Sequence, residues 1–275
     1  MKKILVLTDF SDPSKTALEL AIEIAEAHEG VVILLHVLDM PKMSSNWIDY
    51  GFEKTWEETV EEAEKTASKR LSDSVGGEGR NKHLITKVLT GSLLETILEF
   101  QENENFDLLV IGAKRTPNIG AYLFGTRTDK IVHRSDIPVL VVKKKTSFEG
   151  IKNVLVGNAL RLDNHDLVSY VEAIRKLTGG HIKFLRVNTP IDFMSQDVFD
   201  ERIEHLREET VLKNYEFNYI NFKSQGDGLI YYAAKSKSDL IVICDKHRSS
   251  FRRWVIGEDL AEEVMDASDL PVLIL

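Results

Sequence analysis

The sequence predicts an α/β fold of two tandem domains, each a five-stranded parallel sheet of order 3-2-1-4-5 with helices on both faces. Three observations predict it. The chain aligns with itself: "FDLLVIGAKRTPNIGAYLFGTRTDKIVHRSDIPVLVV" (Phe106 to Val142) matches "SDLIVICDKHRSSFRRWVIGEDLAEEVMDASDLPVLIL" (Ser238 to Leu275) with one extra residue late in the second. "KKILVLTDFS" likewise matches "IKNVLVGNAL", and "VVILLHVL" matches "HIKFLRVN", in the same order. Short apolar runs rich in Val and Ile, without polar alternation, read as strands buried on both faces, and helical patterns separate them. The copies meet near "KKKTSFEG", giving domains over 1–145 and 150–275.

In the first copy the strands are "ILVL", "VVILLHV", "LITKVL", "DLLVIG" and "PVLVV". "DPSKTALELAIEIAEAHEG" opens with Pro13 where a first helical turn accepts it, carries Ala17, Leu18, Ala21, Ile24 and Ala25 on one stripe, and has Gly30 as its stop. "EKTWEETVEEAEKTASKRLSDSV" is a longer charged helix with an apolar seam, "LLETILEFQENE" a third helix and "TRTDKIVHRS" a fourth. Parallel neighbours need crossovers, and these are right-handed, so the helices cover the sheet.

Composition narrows the function classes. With 275 residues and 43% hydrophobic content the chain can bury two cores. A net charge of −9 argues against a general nucleic-acid binder, which needs a basic footprint. The apolar run after Lys2 and Lys3 stops at Leu7, too short for a signal sequence, and no stretch approaches the roughly 18 apolar residues of a membrane span. One cysteine, Cys244, cannot form an internal disulfide. The expectation is a cytoplasmic protein with no membrane and no nucleic-acid partner.

In such sheets ligands bind beyond the carboxyl ends of the strands where the strand order reverses. If the strand order is 3-2-1-4-5, that point lies between "LTD", Leu7 to Asp9, and "VIG", ending at Gly112. Gly112 allows a sharp turn and leaves no Cβ in a ligand's way. Gly125 and Thr126 open the fourth helix, whose unpaired N–H groups and positive dipole end suit a phosphate. Lys114, Arg115 and Arg127 put positive charge around the same loop. Asp9 would repel phosphate and so belongs at the other end of a ligand, accepting from a ribose hydroxyl or an adenine amine. A reading without a ligand stands beside this one: Thr126 with Asp129 forms a capping box, and Asp9, Ser11 and Asp12 are N-cap candidates.

"KKILVLTDFSDPSKTALELA", "VILLHVLD" and "IPVLVVK" resemble the universal stress protein family in its tandem form, over nearly all of copy one and more loosely over copy two. The resemblance implies Rossmann-like domains of the adenine nucleotide α-hydrolase-like type. Nucleotide-binding members carry a glycine, two residues, a glycine, nine residues, a glycine and then Ser or Thr. Gly112, Gly125 and Thr126 fill three of these places, and Arg115 stands where the middle glycine should be. The implied ATP site, with Mg a companion, has Thr8, Asp9 and Val37 around adenine and ribose. Ile111 and Gly112 line it, and Gly125, Thr126, Arg127 and Thr128 hold phosphates.

In copy two the aligned positions are Cys244, His247, Gly257 and Glu258, with Asp259 next, and Asn158 or Ala159 replaces Asp9. Acids at a helix N-terminus suit the dipole but repel phosphate. Copy two is therefore expected to hold no nucleotide. Cys244 reads as a small residue packed at a strand end, since a structural zinc site wants about four ligands. The aromatics Trp47, Tyr50, Phe52 and Trp56 either staple a loop or form a contact surface or lid; "FRRW", Phe251 to Trp254, is open to the same readings. Each copy ends in an apolar edge strand that must be covered, and pairing of the two edges would make a pseudo-dimer within the chain, with a homodimer of whole chains a further step. The functions this leaves are a stress-responsive ATP-binding regulator with an unknown protein partner, a scaffold without nucleotide, and, ranked last, a slow ATPase, because no catalytic base is visibly placed near the phosphates.

Overall fold

The computed structural model describes residues 1–40, 53–76, 82–113, 126–157, 164–212, 215–244 and 260–275. Two compact units emerge: one comprises Met1–Ala113 and Thr126–Ile137, and the other includes Pro138–Leu275.

The first unit contains β1 (Lys3–Leu7), α1 (Asp12–Ala27), β2 (Val31–Asp39), α2 (Glu53–Ser74), β3 (Leu84–Gly91), α3 (Leu93–Glu104), β4 (Leu108–Gly112) and α4 (Thr126–Arg134). Its strands lie in the order β3-β2-β1-β4, all parallel. The centre of the sheet is apolar on both faces: Ile4, Leu5, Val6, Leu108, Leu109 and Val110 are all 0% exposed, as unalternating runs require. Right-handed crossovers put α1 and α2 on one face and send the chain back across the other through α3 and α4.

Helix α1 starts where Ser11 accepts a hydrogen bond from Ser14 N, with Pro13 in the first turn. Its core stripe differs from the expected one in one place: Leu20 is fully buried and Leu18 only half-buried. The stop also differs. Glu29, not Gly30, takes the left-handed conformation (φ 50°), while Gly30 N bonds Ala25 O at 2.8 Å in a helix-ending turn. Gly30 is needed for space, since a Cβ there would lie 2.7 Å from the Met1 carbonyl oxygen.

The second unit contains β5 (Val139–Val142), a 3₁₀ turn at Phe148–Gly150, β6 (Asn153–Gly157), α5 (Asn164–Thr178), β7 (His181–Asn188), α6 (Gln196–Glu209), β8 (Glu216–Asn221), α7 (Gln225–Lys235), β9 (Leu240–Ile243), α8 (Leu260–Ala267) and β10 (Val272–Ile274). The strands β8-β7-β6-β9-β10 are parallel and reproduce the order 3-2-1-4-5. On their free edge β5 adds antiparallel to β10, with Leu140 opposite Leu273. Both side chains are 1% exposed, so the apolar edge is covered. The registers repeat in the two units, Lys3 facing Val31 as Asn153 faces His181 and Ile4 facing Leu108 as Val154 faces Leu240, which sets Ile4 on Val154, one residue on from the match of "KKILVLTDFS" with "IKNVLVGNAL".

Candidate functional site

The expected mouth in the first unit forms where β1 and β4 end side by side. Leu7 and Ile111 are register partners, so Thr8–Asp9 and Gly112–Ala113 leave the sheet together. Thr8 N still donates to Leu35 O at 2.9 Å. Phe10 then turns through the left-handed region (φ 64°), an uncommon conformation for an aromatic residue. Local bonds hold that turn: Phe10 N donates to Thr8 Oγ1 at 3.0 Å, and Ser11 N to Asp9 Oδ1 at 2.9 Å.

The Thr8 hydroxyl is thereby committed to the fold. Ser14 Oγ donates to Ser11 O at 2.8 Å, so across the 3.0 Å contact between the two hydroxyls Thr8 is the donor. A ligand at this mouth meets Thr8 through backbone or a remaining lone pair. Asp9 is exposed. Partial burial pushes its carboxyl pKa up, but hydrogen bonds from the Ser11 side chain and from the Ser11 and nearby backbone N–H groups outweigh that and hold it below the ordinary carboxylate value. It is an acceptor-only carboxylate at neutral pH, suited to hydroxyl or amine donors.

Gly112 has a packing reason that the sequence did not disclose. A Cβ there would collide with the Pro13 carbonyl and come within 2.5 Å of Ser14 N. The start of α1 therefore fills the space beside Gly112 that the ligand reading left open. Val37 and Ile111 are buried, at 8% and 5% exposure, and serve as walls rather than polar contacts.

Helix α4 begins at Thr126, and Thr128 is half-buried in its first turn. Asp129 Oδ1 lies 2.9 Å from His133 Nε2, one turn on. Lys114, Arg115, Gly120 and Gly125 lie outside the described residues, as do Trp47, Tyr50 and Phe52, and so do the side chains of Thr126 and Arg127.

In the second unit, Asn158, Ala159, His247, Phe251 to Trp254, Gly257, Glu258 and Asp259 lie outside the described residues. Cys244 follows β9 and is 3% exposed. Burial pushes the Tyr170 hydroxyl of α5 up to about 12, with Cys244 and Asp166 adding to the shift.

Three residues near the first mouth escaped the sequence reading. His36 Nδ1 lies 2.8 Å from the Thr8 carbonyl oxygen, which can only accept, so Nδ1 carries the proton. The Phe10 ring sits 4.5 Å from the His36 ring, and the Arg70 guanidinium lies 4.2 Å from the Phe10 centroid. Phe10, His36 and Arg70 line a cavity of about 480 Å³ between β2 and α2. His36 and Leu38 alternate with Val37 along the strand and point to the opposite face of the sheet from it. The apolar positions of the α2 seam could have flagged this groove; the left-handed Phe10 could not be read from sequence.

Comparison with known proteins places this geometry among relatives. The model of the universal stress protein family matches residues 1–143. A universal stress protein of Methanocaldococcus jannaschii is 32% identical over 146 residues, covering 52% of this chain and 82% of its own. One from Thermus aquaticus is 29% identical over 143 residues, covering 52% of this chain and 98% of its own. Over the whole chain, the crystal structure of a universal stress protein from Archaeoglobus fulgidus superposes with a TM-score of 0.67 at 17% identity, covering 99% of this chain and 97% of that one. At that identity the likeness concerns the fold.

Proposed function

The chain belongs to the universal stress protein family, and from that premise we propose that it is a stress-response regulatory protein that binds ATP in its first domain. The reading rests on one juxtaposition: an ionised, exposed Asp9 leaves the sheet beside Ile111 and Gly112, at the strand-order reversal where α/β sheets bind ligands. Asp9 accepts from the nucleoside, Val37 and Ile111 wall the base, and the first turn of α4 from Thr126 to Thr128 faces the phosphates with its amides, Arg127 adding charge; Mg bound with the nucleotide would supply further neutralisation of the phosphate charge. Gly125 and Arg115 complete the phosphate loop in this reading.

The second domain acts as a structural partner without nucleotide. Pairing of β5 with β10 supports an arrangement in which the two copies form a pseudo-dimer within one chain. No helix among the described residues is long and apolar enough to cross a membrane, which fits the proposed cytoplasmic location.

A second reading, a scaffold without nucleotide, draws on the Thr8 hydroxyl bound by Ser14 and on the space beside Gly112 taken by Pro13. One experiment separates them. The purified protein is denatured and its supernatant analysed for adenine nucleotide, and apo protein is titrated calorimetrically with ATP and magnesium. Released nucleotide or saturable heat, weakened by Asp9→Ala and by Gly125→Val but not by Cys244→Ala, supports the ATP site. No nucleotide and no heat at millimolar ATP supports the scaffold. Phosphate release above that of an Asp9→Ala control would be required for the slow ATPase.

A further inference from the structure

We propose that the groove between β2 and α2 of the first unit is a second ligand site, which takes a small aromatic carboxylate. Its volume of about 480 Å³ falls within the range of roughly 300–1,000 Å³ usual for small-molecule sites. Phe10 and His36 give an aromatic wall, and Leu38, Ala63 and Ala67 an apolar floor. This is the lining that buries a flat ring. It lies on the sheet face opposite Val37, away from the proposed nucleotide.

The polar groups are arranged along the groove. Arg70 is exposed, makes no ion pair among the described residues, and is held at one end by its contact with the Phe10 ring. Its fork of donors suits a carboxylate. Glu62 lies eight residues nearer the start of α2, about 12 Å along the axis at ~1.5 Å per residue. It can accept from a hydroxyl or amine at the ligand's far end. His36 has spent Nδ1 on Thr8, so Nε2 is the ring atom left for a further donor.

The second unit supplies an independent observation. Arg186 on β7 holds the register position of His36 on β2, and Asn188 that of Leu38. There the chain brings its own carboxylate: Asp192, just beyond the strand, places Oδ1 2.7 Å from Arg186 Nη2, and Asn188 clamps Met194 through both backbone groups. Arg186 is 7% exposed. One copy thus meets a cation here with a carboxylate of its own chain, and in the other the described residues set the Arg70 cation beside an aromatic-walled groove.

The test uses the full chain, isotope-labelled, titrated by NMR with 4-hydroxyphenylacetate to about 10 mM, a range that captures millimolar affinity. Saturable shifts at His36, Ala63 and Ala67 are expected. Arg70→Gln and replacement of the probe by 4-hydroxybenzyl alcohol, which lacks the carboxylate, should each weaken binding about tenfold, the loss expected of a charge-assisted pair. Ala63→Leu, which fills the groove, should remove binding while circular dichroism shows the fold intact. No saturable shift, equal affinity in Arg70→Gln, or shifts confined to Thr8 and Ile111 would overturn the assignment. ATP titration of the same samples scores the nucleotide site separately, so the failure of either site is distinguishable from failure of the other.

Discussion

A side chain at residue 112 would run into the carbonyl of Pro13: the end of β4 and the first turn of α1 approach so closely that only glycine fits between them. The obstruction is backbone on both sides and cannot swing away. Gly112→Ala should therefore cost about 3 kcal/mol, the upper end of overpacking penalties. Urea denaturation of variant and parent checks this. A loss of ATP affinity with unchanged stability would instead assign the glycine to the ligand.

Asp9 links the same turn to pH. Its folded-state pKa lies below the ordinary value of 3.8 because the bonds from the Ser11 hydroxyl and backbone outweigh burial. A depressed carboxyl contributes stability that is complete above the unfolded-state pKa and is lost as pH falls through the folded-state pKa. The stability difference between parent and Asp9→Asn should accordingly hold from pH 7 to about 5 and shrink below about 4. Thermal melts across that window measure it, and a difference that grew on acidification would contradict the sign.

Arg186 and Asp192 form the most buried ion pair among the described residues, with Gln225 Nε2 also donating to Asp192 Oδ2 at 2.7 Å. Removing the carboxylate strands a guanidinium whose pKa burial already lowers. Asp192→Ala should destabilise the second unit by about 3 kcal/mol, while adding Arg186→Met should recover part of that loss, because the uncompensated charge goes with it. A double-mutant cycle in urea gives both numbers. Strict additivity would mean that the pair is not coupled.

Glu263 of α8 caps the start of α7 from outside. Its Oε1 accepts from Ser224 Oγ at 2.7 Å and its Oε2 from Gly226 N at 3.1 Å. An anion at a helix N-terminus is favoured by the dipole and satisfies otherwise unpaired donors. Glu263→Gln keeps the shape and removes the charge, and should cost about 1 kcal/mol. Hydrogen exchange at Gly226 and Asp227 should quicken in step, and unchanged protection there would refute the cap.

The strands and helices were readable because each carries a period or an unbroken apolar run, and the repeat gives both copies the same succession of elements along the chain. Leu18 against Leu20 shows the limit: both are apolar and two residues apart, and only packing selects the one that faces the sheet. The stop at Glu29 shows another, since a neighbouring glycine draws the eye while a charged residue takes the left-handed conformation. At the mouth, Asp9, Ile111 and Gly112 were identified by type and position; Ser14, His36 and Arg70 were not, because their roles come from groups that sequence separates by up to sixty residues.

By itself the sequence determined two α/β copies, a net acidic composition, and the candidate carboxylate at the end of β1. Tertiary structure alone decided that Gly112 answers to Pro13, that Leu20 rather than Leu18 faces the core, and that Phe10, His36 and Arg70 share one groove. The reason is range. Period, propensity and capping act over a few residues and are written in the chain, whereas collision, burial and the pairing of charge depend on which distant segments the fold brings within a few ångströms.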